Sequence, residues 1–403
     1  MSDISATLQQ QVTDAFQNAT PLNIAGGGSK NFLARKPTSE PFGLSLSKPA
    51  INTTTSIHPS VTAFSPEPVE GSGRTDLREP PQEATNTIDL TPHRGIVEYD
   101  PRELVLTARS GATLQEIEVA LTETNQMLAF EPPHFGATAT LGGTIACALS
   151  GPRRPYSGSA RDFVLGCQLL NGRGEILRFG GQVMKNVAGY DVSRLMVGAQ
   201  GTLGILLDIS LKVLPRPAAS ITVAHECSPA EAIASMSTLL SRPYPVDGAC
   251  YHGERCYVRI SGSAQAVKEA RNKIPGEVLN DADTFWHALR EHELPFFKKP
   301  HHNEKAALYR IIVKPATPPL PIAGSWLLDW GGAQRWLYSD EDSAAIRRRV
   351  ELIGGHVTVF RGGNGCNEKF QPLPSPLLAV QRRIKESFDP KNIFNRGRIY
   401  AEL

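Results

Sequence analysis

The sequence predicts an α+β fold in two domains, and three observations carry that reading. A hairpin signal, Asn171-Gly172-Arg173-Gly174, separates two apolar runs, FVLGCQLL (163–170) and EILRF (175–179). Past Pro215 and Pro217 the pattern runs strand, helix, strand, strand, helix, strand, which suits an antiparallel sheet backed by helices. At roughly 150 residues per domain, a chain of 403 residues exceeds one core.

The elements follow in order. Ile4, Leu8, Val12 and Phe16 recur every fourth residue, one face of a helix. PLNIA (21–25) reads as a strand running into Gly26-Gly27-Gly28-Ser29. GIVEYD (95–100) and ELVLTA (103–108) read as strands. Thr113 and Glu116 predict a capping box for a helix bearing Leu114, Ile117 and Leu121. TLGILLDISLKVL (202–214) is a long strand stopped by the two prolines. Beyond them ITVAHE (221–226) is a strand, and Ser228, Pro229 and Glu231 start a helix reaching about Leu240. ACYHG and CYVRIS pair. Helices are predicted over 263–274, 283–293 and 341–353, the last closed by Gly354-Gly355, with strands at 307–314 and 325–330.

Residues 37–86 break this pattern. They hold 8 Pro, 7 Ser, 7 Thr and 3 Gly, with no sustained period. Such a stretch buries too little apolar surface to offset its ordering entropy, so it is expected to be a disordered insertion. The expected division is a first domain over 1–216 carrying this insertion, a second over 217–387, and a tail, 388–403, returning to the first.

Composition excludes several functions. Lys and Arg number 42 against 40 Asp and Glu, which argues against a nucleic-acid binder working by bulk charge. The N-terminus lacks the basic start and apolar core of a secretory signal, and no apolar run nears the roughly 18 residues of a membrane helix. The six cysteines form no CxxC, so reduced thiols, a cytoplasmic location and no Cys-ligated cluster are expected. P-loop, HExxH, GxSxG and strand-linked GxGxxG motifs are missing.

Four glycine-rich stretches remain. IAGGGSKN (24–31) exposes successive backbone N–H groups after a strand, a concavity suited to pyrophosphate. In EPPHFGATATLGGTIACALSG (131–151), Thr140 and Gly142-Gly143-Thr144 precede a helix of small residues that leaves room for a flat ligand. GPRRPYSGSARDFVLG (151–166) crowds Arg153, Arg154 and Arg161 between glycines. With Lys185, Arg153 and Arg154 are candidate carboxylate binders. KNVAGYDVSRLMVGAQGTLG (185–204) spaces Gly198, Gly201 and Gly204 three apart before the long strand.

Together these motifs resemble the vanillyl-alcohol-oxidase-type (PCMH-type) FAD-binding family. The tail DPKNIFNRGRIY (389–400) resembles that family's DPxxxFNPG ending, with Arg396 in place of proline. GPRRPYSGSARDFVLG, KNVAGYD and LPFF (294–297) resemble more narrowly the FAD-binding subunit of bacterial glycolate oxidase (glycolate dehydrogenase). The resemblance implies two αβ subdomains clasping FAD, with a smaller α+β cap domain built on an antiparallel sheet. It implies that Gly26, Gly27, Gly28, Ser29 and Lys30 cradle the pyrophosphate. Thr140, Gly142, Gly143 and Gly158 would line the flavin and ribityl chain, and Gly204 and Ile205 would offer backbone contacts.

No His or Cys lies in the glycine loop, so non-covalent FAD is expected. The implied partners are a paralogous catalytic FAD subunit and an iron–sulfur subunit, through which the chain would reach the inner face of a membrane. The implied activity is oxidation of glycolate to glyoxylate, with electrons passing through the flavin to the iron–sulfur partner. The histidine-rich metal motif of relatives that oxidise 2-hydroxy acids is reduced here to His356, and His301-His302 reads as solvated. No metal site and no catalytic base are therefore assigned. A non-catalytic structural subunit and a stand-alone FAD-dependent alcohol oxidase remain alternatives.

Overall fold

The computed structural model describes residues 2–35, 86–182, 189–298, 306–363 and 368–403. The expected insertion (except Asn86), Lys185, Asn186, the His301-His302 pair and Cys366 lie outside them.

Helix α1 (Ser5–Asn18) buries Leu8, Val12 and Ala15. Strand β1 (Leu22–Ala25) pairs in parallel with β2 (Asn86–Asp89). Strands β3 (Ile96–Asp100) and β4 (Val105–Arg109) follow, then α2 (Leu114–Glu123), short β5 (Gln126–Met127), and the small helices α3 (Leu141–Cys147), α4 (Arg154–Ser157) and α5 (Ala160–Phe163). Strands β6 (Val164–Leu170) and β7 (Ile176–Gly180) form the hairpin. The Asn171 carboxamide oxygen accepts from the Arg173 and Glu175 amides, and Gly174 takes φ +81°, so that turn chemistry sets the register. Helix α6 (Val192–Leu195) precedes β8 (Ile205–Lys212), and β9 (Leu214–Pro215) pairs with β5. The five-stranded antiparallel sheet has the order β3-β4-β8-β6-β7.

The second sheet is antiparallel and eight-stranded. Its strands are β10 (Ala219–Glu226), β11 (Val246–His252), β12 (Arg255–Gly262), β13 (Glu277–Val278), β14 (Ala307–Ile312), β15 (Ser325–Asp329), β16 (Gln334–Ser339) and β17 (His356–Gly362). They lie in the order β13-β10-β12-β11-β15-β16-β14-β17. Helices α7 (Pro229–Leu240), α8 (Ala264–Arg271), α9 (Ala282–Arg290) and α10 (Ser343–Glu351) accompany this sheet, and α11 (Ser375–Phe388) follows. The predicted capping box starts α7: the Ser228 hydroxyl accepts from the Glu231 amide while Glu231 accepts from the Ser228 amide.

Several expectations are corrected. The Thr113 hydroxyl does cap α2, but Glu116 turns away to pair with Arg94 at 3.2 Å, so only half of the box forms. Asp162 completes a capping box with Ser159 at the start of α5. Strands β16 and β17 and helix α11 have no counterpart in the predicted elements. β16 is buried along its whole length, Gln334 and Arg335 included, so it shows no alternation. Most of α11 is solvated; its last turns pack Ile384 and Phe388 against the core of the five-stranded sheet. Phe388 thus closes α11.

Candidate functional site

A cleft opens beside the five-stranded sheet where four segments converge, with about 830 Å³ of empty space. That volume suits a large cofactor. One wall is the glycine loop leaving β1. Gly27 passes so close to residue 138 that a Cβ there would stand 1.5 Å from the Thr138 carbonyl oxygen, and the Thr138 hydroxyl donates to the Gly27 carbonyl at 2.6 Å. Among the described residues, the amides of Gly27, Gly28 and Ser29 donate no hydrogen bond. Lys30 is buried beside them. Its ammonium donates to the Ser29 hydroxyl and the His134 carbonyl, each at 3.3 Å, and desolvation pushes its pKa down.

The second wall is α3. Thr140 caps it, its hydroxyl accepting from the Gly143 amide. The Leu141 and Gly142 amides donate to the carbonyls of Ala112 and Ser110 at 2.8 and 2.7 Å, which holds the helix start against the end of β4. Gly142 permits that approach, because a Cβ would fall 2.6 Å from the Ser110 Cβ. The third wall is the turn before β8, docked on α3 by bonds from the Gly198 and Gln200 amides to the Ile145 and Ala146 carbonyls. The fourth is the C-terminal tail, which brings Asn395 and Arg398 to the cleft.

Gly26, Gly27, Gly28, Ser29, Lys30, Thr140, Gly142, Gly143 and Gly204 thus meet around one cavity. Two expected residues stand outside its lining. Gly158 forms the turn between α4 and α5 with φ +109°, and the Ile205 side chain packs in the core with Leu8 and Phe394. The sequence reading missed Ser110, Asn395 and Arg398. Ser110 matters to the cofactor question, since its hydroxyl oxygen is buried at this wall and has no partner among the described residues. An orphaned hydroxyl, unspent amides and a buried cation fit a phosphate-bearing dinucleotide such as FAD.

A smaller chamber of about 330 Å³ lies where Phe135, Ser150 and Gly151 face the eight-stranded sheet. Arg310 reaches it from β14 and donates through Nε to the Gln334 side chain at 2.6 Å. Burial, and then Arg154, lower its pKa to about 10. Both guanidiniums stack on the Trp330 ring, Arg154 at 4.2 Å and Arg310 at 5.0 Å from its centre. Burial drives the Asp329 carboxyl up to about 7, against hydrogen bonds from the Trp330 amide and Gln334.

Arg153, expected as a carboxylate binder, is already engaged by Glu131 and Asp247. His356 opens β17, and partial desolvation of its imidazole, then Arg310 and Arg154, lower its pKa. Among the described residues no cluster of His, Cys, Asp or Glu is arranged to hold a metal ion, and no helix is long and apolar enough to cross a membrane.

Comparisons with known proteins agree with this geometry. Residues 69–180 match a family model described as an FAD binding domain. The chain is 43% identical over 401 residues to the glycolate oxidase subunit GlcE of Escherichia coli K12, covering 100% of this chain and 99% of that one. It is 34% identical to the glycolate oxidase subunit GlcD of Bacillus subtilis 168 over 76% of this chain and 77% of that one. A solved structure of alkyldihydroxyacetonephosphate synthase superposes with a TM-score of 0.62 at 15% identity, covering 98% of this chain and 76% of that chain; it shares the fold. The chain is an FAD-linked oxidoreductase of mixed helix and antiparallel sheet, and it belongs to the family of the glycolate oxidase subunit GlcE.

Proposed function

We propose that the chain is the FAD-holding subunit of a heteromeric dehydrogenase that oxidises glycolate, or a similarly small 2-hydroxy acid, to the 2-oxo acid. Its partners are a GlcD-like flavoprotein subunit and an iron–sulfur subunit. The observation that carries the reading is the cleft of glycine walls, unspent amides and buried cation, within a chain related to GlcE over its full length.

Bound FAD supplies a two-electron acceptor. The chain's own groups hold and orient. Gly27, Gly28 and Ser29 offer amides, Ser110 a hydroxyl and Lys30 a positive charge. In the chamber against the second sheet, Arg310 supplies charge for a substrate carboxylate, and the surrounding aromatic side chains exclude water. Electrons then leave through the partner, because the described cysteines are scattered free thiols.

The test is glycolate-dependent dye reduction by the chain alone and by the complex purified from its host, with flavin and iron analysis. Turnover by the complex and none by the isolated chain is the expected result. Full turnover by the chain alone, or hydrogen peroxide production without partners, would make it a stand-alone oxidase.

A further inference from the structure

The C-terminal tail does more than return to the first lobe. It is strapped to two walls of the cleft. The Leu22 amide donates to the Ile393 carbonyl at 2.7 Å and the Asn395 amide to the Leu22 carbonyl at 3.0 Å, so the tail runs beside β1 just before the glycine loop. The Asn395 side chain joins both walls: its oxygen accepts from the Ile24 amide at 2.8 Å, and its nitrogen donates to the Gln200 carbonyl at 2.7 Å.

A buried pair fixes this path. Lys385 lies within 2.8 Å of the Thr202 carbonyl, the Phe394 carbonyl and the Asp389 carboxylate. Asp389 in turn accepts from the Ile393 and Phe394 amides.

The tail so held delivers Arg398 to the cleft. Its Nε is buried, and the guanidinium has no hydrogen-bond or ion-pair partner among the described residues. Arg398 and Lys30 both act electrostatically on the Cys147 thiol, so two cations converge on one end of the cleft, beside the unspent amides of the glycine loop. Among the described residues no acid hydrogen-bonds to Lys30, and its acidic neighbour there, Glu291, acts only through space. Leaving the buried Nε of a guanidinium unpaired is costly, and the planar donor fork matches two phosphate oxygens.

We propose that the tail is a cofactor latch in which Arg398, opposite Lys30 and the glycine loop, binds the phosphates of FAD. The inference rests on the FAD reading above and adds a residue and a segment to it. The full chain, stripped of flavin, is titrated with FAD and with riboflavin, which lacks phosphates, while flavin fluorescence and the melting temperature are followed. Arg398→Gln is expected to weaken FAD at least about tenfold and to leave riboflavin unchanged. Arg398→Lys, which keeps the charge, recovers part of the loss and guards against a folding defect.

Unchanged FAD affinity in Arg398→Gln, or an equal loss for FAD and riboflavin, overturns the latch while leaving the FAD reading intact. Wild-type chain that binds neither flavin overturns that reading and the latch with it.

Discussion

Arg259 of β12 places its Nη2 2.8 Å from the Glu131 Oε1, joining the second sheet to the loop that leads into α3. Both side chains are largely buried, and the pair closes a ring: Asp247 accepts from Arg259 Nε at 2.7 Å, and Arg153 reaches both Glu131 and Asp247. Burial pushes the Glu131 carboxyl up, but Arg259 and then Arg153 outweigh it and hold the carboxyl below the usual range. The two arginines and two carboxylates thus tie β11 and β12 to the chain segments on either side of α3.

Breaking one member of that ring strands a buried charge. Arg259→Leu is expected to cost about 3–5 kcal/mol in equilibrium urea unfolding, and Arg259→Leu with Glu131→Leu to cost less than the sum of the two single changes. Strictly additive losses would mean that the ring does not act as a unit.

Gly27→Ala places a methyl group against the Thr138 carbonyl, backbone that cannot step aside. The glycine loop must then shift, and FAD retention after gel filtration is expected to fall at least about tenfold. Gly136→Ala is a useful control, since φ +128° strains it but nothing lies within 4 Å of its Cβ. Its expected effect is on stability, with flavin content kept.

Arg310→Leu removes the guanidinium that faces the smaller chamber from β14. In the assembled complex the KM for glycolate is expected to rise about thirtyfold, the scale of one lost charge-assisted hydrogen bond, with flavin content unchanged. Loss of kcat alone would place the substrate carboxylate elsewhere.

Asp329 makes a prediction about pH. Its carboxyl titrates near 7 when folded, against 3.8 ordinarily. Between those values the folded chain holds a proton that the unfolded chain has released. This contribution to stability is therefore complete below about pH 4 and is lost as pH rises through 7. Melting temperatures from pH 4 to 8 should fall less steeply for Asp329→Asn than for wild type. Parallel curves would assign the pH dependence to other groups.

What could be read from the sequence was the part written in backbone. Gly27 and Gly142 sit where a side chain would overlap a neighbour, so they mark close approaches that no other residue allows, and their clustering pointed to the cleft. The Asn171–Gly174 hairpin and the α7 capping box were legible for the same local reason. Arg310, Ser110 and Arg398 were not legible. Each is a single polar residue whose meaning comes from register or tertiary path: Arg310 faces the chamber because β14 pairs with β16, and Arg398 reaches the cleft because Lys385 and Asn395 steer the tail. Gly158 and Ile205, expected from the motif pattern, lie outside the cleft lining, in the α4–α5 turn and in β8 with its side chain in the core.

The most direct test of the FAD cradle is the absorbance spectrum of the purified chain before and after acid precipitation. One FAD per chain, released into the supernatant by acid, is the expected result. A colourless chain that takes up no added FAD would contradict the cradle, and flavin that stays with the precipitate would contradict non-covalent binding.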